Sequence, residues 1–411
     1  MKKYYLMMVA LFGVNCAIAQ WTALSSRTTS HLSSVYFPDV NTGYAAGELG
    51  TILKTSNAGL TWTALSSGTS NNLNAVHFTD DNTGFAVGDL GTIIKTSNAG
   101  LTWSAISSGT TEILTSLYFP NATTGFAVGH SATILKTIDG GTTWTNVTPF
   151  GVEGNLASVY FTDAKRGYAV GGRTILIPNG AIVLTLLLLT EDGGTTWGDA
   201  SMGTGPLTSV YCTDTNACYA VGGSLPERPP YSEVFKMKVN GDMTTQISRS
   251  GYGLNSVYFA NANTGYAVGF YGTIMKTSNG GTDWTIQNSG TPSHLSSVYF
   301  TDANTGYAVG DMGTILKTTN GGNSLGVNIQ LSTENSLKIY PNPSSDNISI
   351  ETTVNQSHSE LSILNINGQK ILTRQITEAV TQINVSTLPG GVYEVQLIGE
   401  KGMQTGKFIK H

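Results

Sequence analysis

The chain repeats a stretch that first reads Val35-Tyr36-Phe37, then Gly43-Tyr44, then Gly50-Thr51-Ile52-Leu53-Lys54-Thr55, and then Gly59-Leu60-Thr61-Trp62. Its first position returns at Val76, Leu117, Val159, Val210, Val257 and Val298, after 41, 41, 42, 51, 47 and 41 residues. Each unit has four short segments rich in β-branched and aromatic residues, separated by Asn, Asp, Gly and Ser, which is typical of antiparallel strands. Four strands at a period of about 40 to 45 residues are typical of a propeller blade. The repeats therefore predict an all-β protein built on a seven-bladed β-propeller.

The two ends of the repeated region indicate how the ring closes. The seventh unit has Leu325 at the position of the repeat's Trp, so it lacks a normal fourth strand. Residues 21–26 (Trp-Thr-Ala-Leu-Ser-Ser) match residues 62–67 and supply that strand. We therefore predict that the N-terminal strand completes the last blade by pairing with residues 313–317, which leaves no open strand edge at the seam.

A second pattern precedes the Trp that five of the units carry. It reads Thr-x-(Asn or Asp)-x-Gly-x-Thr-Trp, as in residues 190–197. This pattern resembles the Asp box of BNR repeats, and with the Gly-Tyr-Ala-Val-Gly strand the region 21–322 resembles the propellers of photosystem II assembly factors. The resemblance implies the propeller fold. Asp boxes also occur in sialidases and other glycosidases, so the box does not by itself select a function.

The acid of this box is interpreted as structural. The six box positions are Asn57, Asn98, Asp139, Asp192, Asn279 and Asn320. Four of the six carry a side-chain amide, which cannot transfer protons. Both Asn and Asp accept backbone hydrogen bonds in an Asx-turn, and the Gly that follows supplies a positive φ. The Trp residues are predicted to bury apolar surface between blades.

Composition excludes some classes of partner. The chain has 21 Lys and Arg against 26 Asp and Glu, a net charge of -5, so nucleic acid is not expected as a partner. Turns such as residues 39–43 offer one or two carboxylates, whereas Ca²⁺ takes about six to eight oxygens, so we interpret them as hairpin turns. No paired His spacing, phosphate loop or nucleophile elbow is present. We expect no metal and no cofactor, and we favour a noncatalytic protein.

The candidate binding residues lie where the repeat varies. In this connectivity, the turns between second and third strands should share one face around the channel mouth. Blades four and five carry insertions there, at residues 173–180 and 224–232. Variable polar and aromatic residues on a rigid frame are typical of a recognition surface. The candidate ligand-binding residues are Glu48, Asp89, His130, Arg173, Glu227, Arg228, Tyr231, Phe270, Tyr271 and Asp311.

Residues 1–19 are predicted to be a signal peptide. Lys2 and Lys3 precede an apolar run that is too short to span a membrane, and Ala17-Ile18-Ala19 places small residues at a cleavage site before Gln20. A second apolar run, residues 181–189, is predicted to be a buried strand. We expect the propeller at 20–322 and a linker at 323–335.

Residues 336–411 have a different character from the propeller. They lack Trp and contain Tyr340-Pro341-Asn342-Pro343, alternating segments on both sides of Asn367-Gly368, and a final Gly406-Lys407-Phe408-Ile409-Lys410. Alternation around Asn-Gly predicts a hairpin, and the whole predicts a small β-sandwich. The motif order resembles the C-terminal sorting domain of the type IX secretion system, found in Bacteroidetes; an ordinary binding sandwich is the alternative. The resemblance implies partnership with that secretion machinery, and surface attachment or release.

Cys212 and Cys218 replace the residues that stand at the Phe37 and Gly43 positions of the repeat. These positions face each other across a hairpin, so the two α-carbons should lie within disulfide range. An exported protein meets oxidising conditions. We predict a disulfide worth about 2 kcal/mol, with a free buried pair as the alternative.

Three functional hypotheses follow. The leading one is a secreted or cell-surface noncatalytic protein that binds a glycan or protein through the loop face. The alternatives are a glycoside hydrolase or lyase that uses the rim acids Glu48, Asp89 or Asp311, and a scaffold for assembly of another protein. No transmembrane segment is expected, and we expect a monomer.

Overall fold

The fold is described from a computed structural model that covers residues 20–177, 180–201, 203–223, 231–238, 242–250, 253–323, 337–351, 359–365, 369–376, 378, 380–399 and 402–411. The chain divides into two compact units, Met1–Leu325 and Gly326–His411. Of the linker predicted at 323–335, all but Asn323 lies outside the described residues. Within the described ranges, no helix is long and apolar enough to cross a membrane.

The described part of the first unit contains seven four-stranded antiparallel sheets. The first strand of each sheet contacts the first strand of the next, and the seventh returns to the first. The sheets are therefore blades of a closed ring, which confirms the predicted propeller.

The blades are numbered in chain order. Strand β1 is Thr22–Leu24. Blades 1 and 2 comprise β2 (Leu32–Tyr36), β3 (Gly43–Gly47), β4 (Ile52–Thr55) and β5 (Thr63–Leu65), then β6 (Leu73–Phe78), β7 (Gly84–Gly88), β8 (Ile93–Thr96) and β9 (Ser104–Ile106). Blades 3 and 4 comprise β10 (Leu114–Tyr118), β11 (Gly125–Gly129), β12 (Ile134–Thr137) and β13 (Thr145–Asn146), then β14 (Asn155–Phe161), β15 (Gly167–Ile177), β16 (Gly180–Thr190) and β17 (Gly198–Asp199). Blades 5 and 6 comprise β18 (Leu207–Asp214), β19 (Ala217–Gly223), β20 (Tyr231–Met237) and β21 (Met243–Ser250), then β22 (Leu254–Phe259), β23 (Gly265–Gly269), β24 (Ile274–Thr277) and β25 (Thr285–Gln287). Blade 7 comprises β26 (Leu295–Phe300), β27 (Gly306–Gly310), β28 (Ile315–Thr318) and β1.

The N-terminal strand closes blade 7, as predicted. Strand β1 pairs antiparallel with β28, with Thr22 opposite Lys317 and Leu24 opposite Ile315. Trp21, only 1% exposed, packs edge-on against Tyr266 and Phe300. The first strand thus contributes a ladder and a buried aromatic anchor at the seam.

Hydrogen bonds between first strands lock neighbouring blades. The Ser34 hydroxyl accepts the Val76 N–H at 3.2 Å, and five further blade pairs repeat this bond. In blade 2 the serine position is Ala75, which has no hydroxyl. A buried N–H that finds an acceptor avoids a desolvation cost, so this serine fixes the stagger between blades.

Seven aromatic side chains form a closed circuit around the propeller axis. Each ring neighbours the next, with centroids 4.6 to 5.7 Å apart. The members are Tyr36, His77, Tyr118, Tyr160, Tyr211, Tyr258 and Tyr299. Burial raises the pKa of Tyr36 to about 12 and lowers the pKa of His77 to about 4. Both groups are therefore neutral at pH 7.

Blade 4 departs from the sequence prediction. The insertion after residue 173 is not a loop, because β15 and β16 stay paired to Ile177 opposite Gly180. The apolar run 181–189 is buried only in its inner half, since Ala181 is exposed. The β-branched residues of this run extend the hairpin beyond the blade, and its tip exposes Leu176.

The second unit contains two sheets in its described part. They comprise β29 (Lys338–Tyr340), β30 (Asn347–Glu351) and β33 (Val380–Asn384), and then β31 (Ser359–Leu364), β32 (Lys370–Ile376), β34 (Gly391–Gly399) and β35 (Gly402–Lys410). Ile348, Leu361, Val395 and Phe408 are buried in one core. This arrangement fits the predicted β-sandwich. Residues 366–368, at the predicted hairpin, lie outside the described residues.

Candidate functional site: the rim face

The propeller has two ends with different chemistry. We call the end that carries the turns between third and fourth strands the box end. In blade 1, the Asn57 side-chain oxygen accepts the Thr61 N–H at 2.9 Å, and the Thr55 hydroxyl accepts the Gly59 N–H at 2.9 Å. In blade 4, backbone and side-chain hydrogen bonds from Thr196 hold the pKa of Asp192 down to about 2. These oxygens are engaged within their own turns, which suits a structural role better than proton transfer.

Box-end turns also hold neighbouring blades together. The Ala58 carbonyl of blade 1 accepts the Tyr307 hydroxyl at 2.8 Å and the Lys317 ammonium at 2.7 Å from blade 7. The same ammonium lies 5.5 Å from the Tyr307 ring centroid. Equivalent lysines lie over rings in five other blades. Polar groups at the box end are thus engaged in contacts that hold the blades together.

We call the opposite end the rim face and define it by the turns at residues 48–50, 89–91, 130–132, 270–272 and 311–313. Four of these turns are single 3-10 turns: Glu48–Gly50, Asp89–Gly91, Phe270–Gly272 and Asp311–Gly313. In blade 1, Glu48 N–H donates to the His31 carbonyl at 2.9 Å, and Leu49 N–H donates to the Asn72 side chain of blade 2 at 3.0 Å. The blade 1 turn is thus tied both to its own blade and to the next.

The middle residue of each of these four turns has a left-handed backbone. Leu49, Leu90, Tyr271 and Met312 have φ values of 53° to 54°. For a residue with a Cβ atom this conformation costs about 1–2 kcal/mol. Their side chains remain exposed, at 74%, 68%, 56% and 76%. The isolated propeller therefore gains little burial energy to offset this strain.

The glycine that follows each middle residue is required by the space around it, whereas nothing requires a large side chain at the middle position. Gly50 has φ +66°, and a Cβ there would lie 2.0 Å from the Thr69 carbonyl oxygen. Only glycine fits that position. At Leu49 a glycine would relieve strain, yet the chain keeps a large apolar side chain there.

The sequence-predicted candidates fall into three groups. Glu48, Asp89, Phe270 and Asp311 each begin a rim turn, His130 holds the same place in blade 3, and Tyr271 is a middle residue. Arg173 lies in β15, where its guanidinium pairs with Asp199 at 2.8 Å. Glu227 and Arg228 lie outside the described residues, and Tyr231 is described only as the first residue of β20.

His31 connects blades 7 and 1 at the rim face. Its Nδ1 lies 2.7 Å from an Asp311 carboxylate oxygen, and its Nε2 lies 3.3 Å from the Ser296 hydroxyl. With the Nδ1 proton donated to Asp311, Nε2 can accept the serine proton. This order of groups is that of a nucleophile relay. Sequence inspection missed it because His31 precedes the first strand of blade 1, whereas Ser296 and Asp311 belong to blade 7 at the other end of the repeated region.

His294 plays a related part beside blade 6. Its Nδ1 accepts the Tyr271 N–H at 2.9 Å, and its ring packs edge-on against Phe270 and Tyr271. The sequence signal for His31 and His294 is a His that directly precedes the first strand of a blade. That signal is visible only once the blade register is known.

Cys212 and Cys218 lie opposite each other in the β18–β19 ladder of blade 5. The structure joins them in a disulfide with α-carbons 3.9 Å apart. The bridge lies at the box end, away from the rim turns.

A ring of seven antiparallel sheets with variable turns on one end defines a β-propeller protein. A sequence model described as photosynthesis system II assembly factor YCF48 matches residues 14–111, 97–204 and 231–319. The chain belongs to this family. A second model, described as a secretion system C-terminal sorting domain, matches residues 338–411. This match implies export to the cell surface or extracellular space and an association with the secretion machinery.

Solved structures with the same fold share little sequence with this chain. YCF48 bound to D1 peptide is 18% identical with a TM-score of 0.58, over 73% of this chain and 97% of that chain. YCF48 from Cyanidioschyzon merolae is 19% identical with a TM-score of 0.57, over 72% and 98%. An ancestral GH74 enzyme is 13% identical with a TM-score of 0.57, over 94% and 63%. No curated protein matches the chain. These identities support the fold alone.

Proposed function

We propose that the protein is a noncatalytic binding protein, displayed on the cell surface or released, that recognises a glycan or another protein through its rim face. The observation that carries the proposal is the set of exposed middle residues in left-handed turns, because their side chains bury little surface within the propeller to offset the strain of that backbone. Export is supported by the sorting-domain match. Residues 1–19, proposed as a signal peptide, lie outside the described residues.

Two features support binding to a macromolecule rather than a small molecule. The rim turns are spread over several blades of the ring, and the lining of a groove between blades 7 and 1 includes Arg27 and Leu49. Ser66, Ser67 and Thr69 also line this open groove. Extended surfaces of this kind suit chains of sugars or residues. The similar fold of YCF48 bound to D1 peptide is compatible with a polypeptide ligand.

The test is a glycan array together with a pull-down from the medium and surface extract, using the full chain. Variants Asp89→Ala and Tyr271→Ala should weaken whatever ligand is captured. Leu60→Ser and Leu101→Ser change exposed leucines at the box end and serve as matched controls. Ligand binding that survives both rim substitutions but is lost in the controls would refute the rim face as the binding face.

A second candidate function is hydrolysis, favoured by the Ser296–His31–Asp311 arrangement. Ser296 Oγ would attack an ester carbonyl while His31 Nε2 takes the hydroxyl proton and passes it to the leaving alcohol; water would then release the acid by the same steps. Turnover of p-nitrophenyl acetate that Ser296→Ala abolishes would support this candidate. Turnover that is equal in wild type and Ser296→Ala would refute it.

A further inference from the structure

Three neighbouring blades present the same pair of residues on the rim face. Asp311 and Met312 in blade 7, Glu48 and Leu49 in blade 1, and Asp89 and Leu90 in blade 2 each place an acid directly before an exposed apolar residue. Blades 7, 1 and 2 follow one another in the closed ring. We call these six residues the acidic-apolar arc.

The arc has a limit on each side. In blade 3 the middle residue is Ser131, preceded by His130, so both the apolar group and the acid are absent. In blade 6 the turn has Phe270 and Tyr271, which pack against His294. The acid and the apolar residue therefore occur together in three adjacent rim turns and in neither flanking turn.

The apolar members are costly for the isolated protein. Each has a left-handed backbone that glycine would adopt without strain, and each is at least two-thirds exposed. Leucines at the box end are equally exposed, but Leu60 and Leu101 do not have this backbone. The strain is thus present at the rim leucines and absent at these box-end leucines, and burial by a bound partner would compensate for it.

The charges of the arc indicate the partner. Glu48, Asp89 and Asp311 are carboxylates, while the positive groups beside them are Arg27 and, when protonated, His31. Asp89 accepts hydrogen bonds from Asn72 and Asn74, which position its charge without neutralising it. The surface thus combines apolar tips with a net negative charge. Complementarity requires a partner that combines apolar side chains with positive charge.

We infer that the acidic-apolar arc binds a cationic polypeptide segment, in which Lys or Arg residues alternate with apolar residues. This inference rests on the proposed function and specifies its ligand. The basic groups face Glu48, Asp89 and Asp311, and the apolar side chains cover Leu49, Leu90 and Met312. Polysaccharides lack the clustered positive charge that this surface would attract.

The test uses the full chain and a short fluorescein-labelled peptide of alternating Leu and Lys, with Leu-Glu and Ser-Lys peptides as controls. Fluorescence anisotropy should show binding of the Leu-Lys peptide alone, and this binding should weaken as salt is raised. The triple variant Leu49→Gly, Leu90→Gly and Met312→Gly should bind the peptide about tenfold more weakly or worse. Because glycine relieves the strain, the variant should melt no lower than wild type, which separates lost binding from unfolding.

Matched variants complete the test. Leu60→Ser with Leu101→Ser should leave peptide binding unchanged, and Glu48→Gln should reduce both affinity and its salt dependence. Equal binding by wild type and the triple variant, or equal binding of the Leu-Glu peptide, would overturn the inference. If the triple variant loses a captured glycan while the Leu-Lys peptide never binds, the cationic segment is wrong and the proposed rim face stands. If the Leu60→Ser, Leu101→Ser control loses the captured ligand while the triple variant keeps it, both the cationic segment and the proposed rim face are wrong.

Discussion

The box end and the rim face are built from the same repeat, but they use their residues in opposite ways. At the box end, Tyr307 and Lys317 of one blade both bind the Ala58 carbonyl of the next. At the rim face, Leu49 is exposed in a strained conformation and forms no part of the core. At the box end these side chains hold neighbouring blades together, whereas the middle residues of the rim turns leave their side chains exposed. The difference indicates where a ligand can be accommodated without loss of the fold.

This comparison predicts that substitutions of buried box-end side chains destabilise strongly, whereas substitutions of exposed side chains in the rim turns do not. Trp21→Ala should have the largest effect, because the ring is buried at the seam between Tyr266 and Phe300. We expect a loss of about 3–5 kcal/mol, measured as a fall in the urea midpoint and melting temperature. Deletion of residues 21–26 should lower stability further, since it also removes the β1–β28 ladder.

The control for this prediction is Thr22→Ala, which keeps the strand pairing and changes an exposed side chain. It should shift the melting temperature little. A Trp21→Ala protein as stable as Thr22→Ala would show that the seam does not hold the ring.

The propeller frame was predictable from sequence because each blade repeats the same pattern of strand and turn residues. Period, strand number and the match of residues 21–26 to 62–67 predicted blades and closure, and both are confirmed. The extended hairpin of blade 4 was not predicted. Residues 173–180 looked like an insertion in a loop, because strand pairing beyond the blade edge depends on the partner strand rather than on the repeat.

A second box-end prediction concerns the bridge between Cys212 and Cys218 in blade 5. Replacement of both by Ser should cost about 2 kcal/mol, because the bridge closes a short loop in the unfolded chain. Mass spectrometry of protein from its native compartment should show both sulfurs oxidised. Two free thiols in that protein would contradict the prediction, whatever the stability of the Ser variant.

A third prediction concerns the aromatic circuit at the axis, where His77 stands in place of a Tyr. Burial lowers the pKa of His77 from about 6.5 to about 4, so between these values the unfolded chain binds a proton that the folded chain does not. Stability should therefore be complete above about pH 6.5 and fall as the pH is lowered toward 4. Solvent still reaches a small part of this side chain, so we expect a loss of about 2 kcal/mol or less.

The matched variant is His77→Tyr, which restores the residue type that the other blades carry. Tyr36 donates its hydroxyl to the Phe78 carbonyl of the next blade, and a tyrosine hydroxyl introduced by this substitution would have the Phe119 carbonyl in the equivalent place. Melting temperatures of wild type and variant should diverge as the pH falls from about 7 to about 4.5, because unfolding in this range lets His77 take up a proton and a tyrosine takes up none. If the melting temperatures of the two proteins fall in parallel as the pH is lowered, His77 is not the cause of the acid sensitivity.

The rim face, where we propose that a ligand binds, was less predictable than the frame, and Leu49 and His31 show the reason. Sequence variation identified Glu48, Asp89 and Asp311 as rim residues. The left-handed backbone of the residue after each of them could not be predicted from the amino-acid sequence. A leucine that precedes a glycine is usually assigned to a strand or a turn with negative φ, not to the left-handed region. The Ser296–His31–Asp311 contacts join residues 265 and 280 positions apart in sequence, so only the closed ring brings them together.

The smallest predicted effect has the opposite sign and lies at the rim face. Arg27 has φ 60°, where the equivalent turns of other blades have Gly68, Gly109 and Gly290 with φ values of 72° to 77°. Arg27→Gly should therefore stabilise the protein by about 0.5–1 kcal/mol, because relief of strain exceeds the added entropy of the unfolded chain. Arg27→Ala removes the charge but keeps the Cβ atom, so it should give no such gain. A higher melting temperature for Gly alone would show that the strain is local to the backbone, and an equal gain for Ala would show instead that the exposed guanidinium was the destabilising group.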